Sequence, residues 1–168
     1  AMRAGFNSFG VVVVSCAIWI ATSWNEGQNA AMMACIIASL FGNSERPGPV
    51  MGVVFKTSCY GFILSIIYNF GVFPAITSFP ILLLSLAPVF LVTGALMARP
   101  KTILHGTSFT LGFVGSLALS DSWHDDFTKI ANMGLATVVG VGIAAVWSSL
   151  NASLIEMNTG ERLLKASA

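Results

Sequence analysis

The chain has 168 residues, of which 55% are hydrophobic and only 9% charged, and its mean hydropathy is +0.82. A soluble domain carries about 25% charged residues, so this composition excludes a chain that coats itself with a water-facing surface; the alternative solvent is lipid. The net charge of +1 gives no reason to expect a nucleic-acid partner, and the information lies in where the charges fall.

One spanning helix with its connection takes roughly 27 residues. The length therefore predicts an all-α, polytopic membrane protein of six transmembrane helices, with no soluble domain of useful size. The first apolar segment covers residues 6–24. Its β-branched runs at 11–14 and 18–20 would suggest a strand in water, but its length and lack of charge favour a spanning helix. Arg3 ahead of an apolar run imitates a secretory leader; five more apolar segments follow, so the first is read as a retained helix. It ends in the polar turn Trp24-Asn25-Glu26-Gly27 with an interfacial tryptophan.

The second segment, 28–41, is short and rich in Ala and Met. Strong turn signals follow in residues 42–49, which hold Pro47 and Pro49. The third segment, 50–68, contains Lys56, the one charge inside an apolar stretch, and 69–78 reads as a loop around Gly71 and Pro74. The fourth, 79–98, has Pro80 in its first turn and Pro88 mid-span, which predicts a kink with the freed carbonyl satisfied by neighbouring helices. Arg99, Pro100 and Lys101 close it. The fifth covers 103–120, then an acidic turn with Asp121, His124, Asp125 and Asp126. The sixth covers 127–154 and is longer than a bilayer needs, so its end projects into the cytoplasm.

Orientation follows from Lys and Arg, which favour the cytoplasmic side. Arg3, Arg46, Arg99, Lys101, Arg162 and Lys165 fall on the side of the two termini, and only Lys129 falls opposite, among Glu26, Asp121, Asp125 and Asp126. Both termini are therefore expected in the cytoplasm. The domains read as a cytoplasmic stub at 1–5, the membrane domain at 6–154 and a cytoplasmic tail at 155–168.

The last two helices carry small residues at every fourth position: Ser108, Gly112, Ser116 and Ser120, then Ala136, Gly140, Ala144 and Ser148. Small residues at this spacing make a groove where two helix backbones approach closely, which is how helices pack in lipid. They are also simply common in membrane helices.

No enzyme motif is present: no G-x-S-x-G, no Walker A and no H-E-x-x-H. The protein is expected not to be an enzyme and to need no cofactor. Cys16, Cys35 and Cys59 lie in apolar stretches without CxxC spacing and read as small packing residues. His105 and His124 fall on opposite membrane faces and cannot share a metal, and His124 with its aspartates reads as a solvated acidic loop. Lys56 sits roughly 10 Å along its helix. An ionisable group at that depth is costly and marks a candidate site; it either attracts a carboxylate entering from the cytoplasm or snorkels to the headgroups. Asp121 is either a proton-exchange carboxylate or a plain interfacial charge. Glu26 and Asn29, at the outer turn between the first two helices, carry the same two readings.

The ordered set Trp19, Trp24, Gly27, Ser39, Leu40, Phe41, Pro47 and Pro49 resembles the second membrane half of the fusaric acid resistance and aromatic acid exporter family. That half opens with two tryptophans and a glycine, then a short helix ending in a small-residue/Leu/aromatic turn and a proline pair. Leu119-Ser120-Asp121 looks like the family's aspartate closing the fifth helix. The resemblance covers roughly residues 6–150. Two departures stand out: Asn25 replaces the Pro or Thr that often follows the second tryptophan, and family members carry two six-helix halves around a cytoplasmic domain where this chain has one. The resemblance implies proton-driven efflux of aromatic carboxylic acids or related organic anions across the inner membrane. It also implies a second copy or other half as partner and, for some such pumps, a periplasmic membrane-fusion protein. Plant malate channels look distantly similar, so a passive organic-anion channel is the alternative, and a non-transporting assembly subunit a further one.

Overall fold

The computed structural model describes residues 2–41, 47–117 and 127–166, and every regular element among them is helical. The α-helices are α1 (Met2–Thr22), α2 (Gly27–Phe41), α3 (Pro47–Ile67), α4 (Phe79–Met97), α5 (Ile103–Gly115) and α6 (Phe127–Ala166). Residues 69–78, expected as a loop, are mostly wound. A π turn at Tyr68–Val72 extends α3 and a 3₁₀ turn at Phe73–Ala75 follows, before Ile76 turns extended. The wider winding goes with a buried polar anchor, since the Asn69 amide donates to the carbonyl of Ser116, just past the end of α5, at 3.1 Å. Helix α6 likewise continues beyond the expected 154, to Ala166.

Local signals account for the helix ends and for the mid-span proline. Ser78 is extended and Pro80 lies in the first turn of α4, where a proline loses no intrahelical bond. Pro88 sits inside α4 without ending it. It withholds a donor from the Leu84 carbonyl, and the Tyr68 hydroxyl donates to the next carbonyl, Ser85, at 2.9 Å. Hydroxyls elsewhere bond back to their own helices, as Thr57 does to Val53 at 2.8 Å and Ser149 to Ala145 at 2.7 Å. Such back-bonding satisfies these hydroxyls within hydrocarbon, whereas Ser15 Oγ, Ser116 Oγ and Trp147 Nε1 are buried without a partner among the described residues.

Three segments are long and apolar enough to cross a bilayer, Gly48–Ala75, Phe79–Met97 and Phe127–Asn151, and shorter apolar helices cover Asn7–Thr22 and Gly27–Phe41. Helix α2 has 15 residues and α5 has 13. At 1.5 Å per residue they are roughly 20 Å long, against a hydrocarbon core of about 30 Å. Each of these two short helices lies between two longer ones. Neighbours pack in the order α1, α2, α6, α3, α5, α4, with α1 also reaching α6.

That order reads the same from both ends. The hairpin α1–α2 receives α6 and the hairpin α4–α5 receives α3, so each three-helix half lends its last helix to the other. Helices α3 and α6 then pack on each other at the centre. The closest approaches occupy matching places. A Cβ on Gly112 of α5 would overlap the Ser58 carbonyl of α3 and stand 2.7 Å from its Cα, and a Cβ on Gly140 of α6 would overlap the Ala30 carbonyl of α2 and stand 3.0 Å from its Cα. Where α3 meets α6, Phe62 lies on Gly134 and Phe55 reaches Gly142.

The core is accordingly built of small and medium side chains. Val11, Ala34, Ile37, Ala38, Met51, Val54, Val141 and Ala144 form one buried cluster. Phe113, Leu86 and Leu117 form another beneath Tyr68 and Phe73. Apart from Phe113, many of the large apolar side chains point outward. Helix α4 exposes Leu84 by 76% and Leu91 by 73%, a surface that in water would be an aggregation patch and in lipid is an ordinary helix face.

A polar clasp ties α1 to α6. The Asn7 amide donates to the Ser148 hydroxyl at 3.3 Å, and the Asn151 amide donates to Asn7 Oδ1 at 3.2 Å. Asn7→Leu removes both bonds and strands Ser148 in an apolar interface. Interhelical polar contacts in membranes are worth about 1 kcal/mol, so thermal unfolding in detergent is expected a few degrees lower, with helicity by circular dichroism unchanged.

Candidate functional site

The α1–α2 turn is built by four residues with separate tasks. Ser23 stands in the left-handed region at φ 48° and stops α1. The Trp24 carbonyl accepts the Gly27 N–H at 3.0 Å, and the Glu26 carbonyl accepts the Asn29 N–H at 3.0 Å, which starts α2. Gly27 lies directly under the Trp19 ring: a Cβ there would overlap Cδ1 and stand 2.7 Å from Cγ. The tryptophan–glycine spacing of the sequence is thus a ring lying on a bare backbone. Glu26 and Asn29 are half-buried in this turn. Gly27→Val forces the ring away, and a red shift of tryptophan emission is the expected readout.

Lys56 lies in the middle of α3 and is exposed. Its stripe continues with Tyr60, 64% exposed, and Ile63, 54% exposed, while Val54, Ser58 and Ser65 face inward. The lysine therefore points away from the helices that α3 packs on. Among the described residues, no hydrogen bond or ion pair joins it to Glu26 or Asn29. Asp121 and Ser120 lie outside the described residues, as do His124 and the neighbouring aspartates.

The two small-residue stripes face different partners. Ser108, Gly112 and Ser116 are buried, and Ser58 donates to the Ser108 carbonyl at 3.1 Å, so this stripe lies on α3. Ala136, Gly140, Ala144 and Ser148 are also buried; Gly140 meets α2 and Ser148 meets α1.

Two features escape the sequence reading. One is the set of buried polar groups at the far end of α3, where Asn69 is 1% exposed and Thr137 donates to the Gly115 carbonyl at 2.9 Å. An asparagine isolated in an apolar segment was the available signal. The other is a cleft of about 630 Å³ between the α1–α2 turn and the start of α6, lined by Ile18, Thr22, Ser23, Trp24, Asn25 and Asn132. Its two asparagines are far apart in the chain, and no local pattern joins them. A second groove, about 510 Å³ and apolar, runs between α3 and α6 beside Gly52, Phe55, Gly142 and Val146.

The family model for the fusaric acid resistance protein family matches residues 1–168. The chain belongs to this family. The fusaric acid resistance protein FusC of Burkholderia cepacia is 28% identical over 108 residues, covering 61% of this chain and 30% of its own length. Uncharacterized transporters of Gluconobacter oxydans and Escherichia coli are each 26% identical, over 87% and 86% of this chain and 19% and 22% of theirs. The chain thus spans less than a third of the length of these curated relatives. No solved structure matches it. Membership in this family explains the outward-facing apolar helices: the chain is a multi-pass membrane protein.

Proposed function

We propose that the chain is one membrane half of an inner-membrane exporter of aromatic carboxylic acids or related organic anions, driven by the proton gradient. The match to the fusaric acid resistance family along the whole chain carries this reading. In it, the six described helices make six crossings with both termini in the cytoplasm, as the Lys and Arg distribution favours. The short α2 and α5 cross by thinning the bilayer locally, which is tolerable for helices flanked by longer neighbours.

The anion enters from the cytoplasm past Lys56. That residue lies on an exposed face of α3, so the pathway is completed by a second copy or the other half of the transporter. It leaves by the turn holding Glu26 and Asn29, with Asp121 as the proton-exchange carboxylate. A periplasmic membrane-fusion protein is a further partner.

Coupling separates this reading from a passive anion channel. In liposomes holding the whole transporter, benzoate flux is expected to follow an imposed pH gradient and to vanish when an ionophore collapses it. Steady benzoate current with no pH gradient would establish the channel instead.

A further inference from the structure

The cleft between the α1–α2 turn and α6 has the makings of a binding site with a chemistry of its own. Its volume, about 630 Å³, lies within the few-hundred to thousand Å³ usual for small-molecule sites. Trp24 and Ile18 supply flat apolar wall, and Asn25 and Asn132 supply amides. Neither amide has a hydrogen-bond partner among the described residues, although Asn132 is half-buried. Both amides are accessible and can pair with the polar edge of a ligand lying on the indole. Ser23, in the same wall, is the one non-glycine residue with positive φ among those described. That backbone strain of order 1–2 kcal/mol is the kind held at functional sites, and it presents Trp24 and Asn25 to the cleft.

The described lining favours an uncharged ligand. No cation is among the described lining residues, and the charged residues nearest in sequence, Glu26 and Lys129, are not part of it. A bare carboxylate has only acceptors to offer, so it would use the amide N–H groups alone. An amide side chain both donates and accepts. Its complement is a planar, uncharged edge that also does both.

We propose that this cleft binds a neutral aromatic molecule with a paired donor and acceptor, either a protonated aromatic carboxylic acid or an aromatic primary amide. The ring lies against Trp24 and the polar edge meets Asn25 and Asn132. For its place at the exit side the proposal rests on the export reading, where it means that the acid leaves the protein neutral.

The test needs no transport. The whole protein, carrying 5-fluorotryptophan, is placed in nanodiscs and followed by fluorine NMR, with the Trp24 resonance assigned as the one missing in Trp24→Phe. Benzamide and benzoate at pH 7.5 are the probes; they share a ring, and at that pH benzoate is an anion. Benzamide is expected to shift the Trp24 resonance saturably, with benzoate at least about tenfold weaker. Asn132→Leu is expected to weaken benzamide by about tenfold, the effect of one lost hydrogen bond, with the Trp19 and Trp147 resonances unmoved as evidence of an intact fold. Equal binding of benzoate, an unchanged affinity in Asn132→Leu, or a non-saturating shift of all the tryptophans by partition into lipid would each overturn the proposal. Binding without any flux of the acid would instead leave the cleft standing and remove the export reading.

Discussion

Gly112→Leu is expected to prevent the bundle from assembling, with most of the protein lost to aggregates on extraction. The reason is that the obstacle at Gly112 is backbone. A Cβ there already overlaps the Ser58 carbonyl and stands 2.7 Å from Ser58 Cα. A side chain in the way could rotate; a helix backbone has to move, and α3 is held on its other side by α6. Overpacking in a well-filled core costs about 1–3 kcal/mol, and here even Gly112→Ala should reach the top of that range. Its thermal midpoint in detergent is expected roughly 5–10 °C below the parent's. Gly94→Ala and Gly52→Ala are the controls. Nothing lies within 4 Å of a Cβ at either position, and alanine is the better helix former by about 1 kcal/mol, so both should match or exceed the parent. If Gly112→Ala and Gly94→Ala melted together, the close approach of α3 and α5 would be wrong.

Lys56→Ala is expected to lower the export of benzoate by at least about tenfold while the protein accumulates and melts normally. The side chain is exposed and packs into no buried cluster, so truncation leaves no cavity. What it removes is a positive charge partway along a helix apolar enough to span the membrane. In a poorly screened site, one favourable charge contact is worth well over 1 kcal/mol, which sets the tenfold figure. Lys56→Arg keeps the charge and should retain most of the flux. Export of a neutral substrate should be spared in both variants. Normal benzoate flux in Lys56→Ala would make the lysine a snorkelling anchor and remove it from the pathway.

Some of this architecture was legible in the sequence because it is written locally. Pro80 and the Arg99-Pro100-Lys101 group bracket α4 almost to the residue, and the glycine turn before Gln28 does the same for α2. The Trp19 and Gly27 signature marked a turn whose geometry is ring upon backbone. What stayed hidden depends on contacts across the chain. The π turn at Tyr68–Val72 goes with an anchor on Ser116, which a local reading of Gly71 and Pro74 cannot supply. The stripes of α5 and α6 are visible as spacing, yet nothing in the spacing says that one lies on α3 and the other on α2. Lys56 is conspicuous as a charge in an apolar segment, but its outward direction follows only from which face of α3 is covered. The Asn25–Asn132 cleft joins a turn to a helix more than a hundred residues away, and no periodicity links them.

The central claim is six membrane crossings with both termini on the cytoplasmic side, and a labelling map tests it most directly. With Cys16, Cys35 and Cys59 replaced by alanine, single cysteines are placed at Ala4, Asn25, Thr77, Lys101, Asp125 and Ala166. A membrane-impermeant maleimide is applied to right-side-out and to inverted vesicles. The expected result is that Asn25, Thr77 and Asp125 react in right-side-out vesicles, and Ala4, Lys101 and Ala166 only in inverted ones. Asn25 and Lys101 reacting from the same side, or the two termini from opposite sides, would contradict the account.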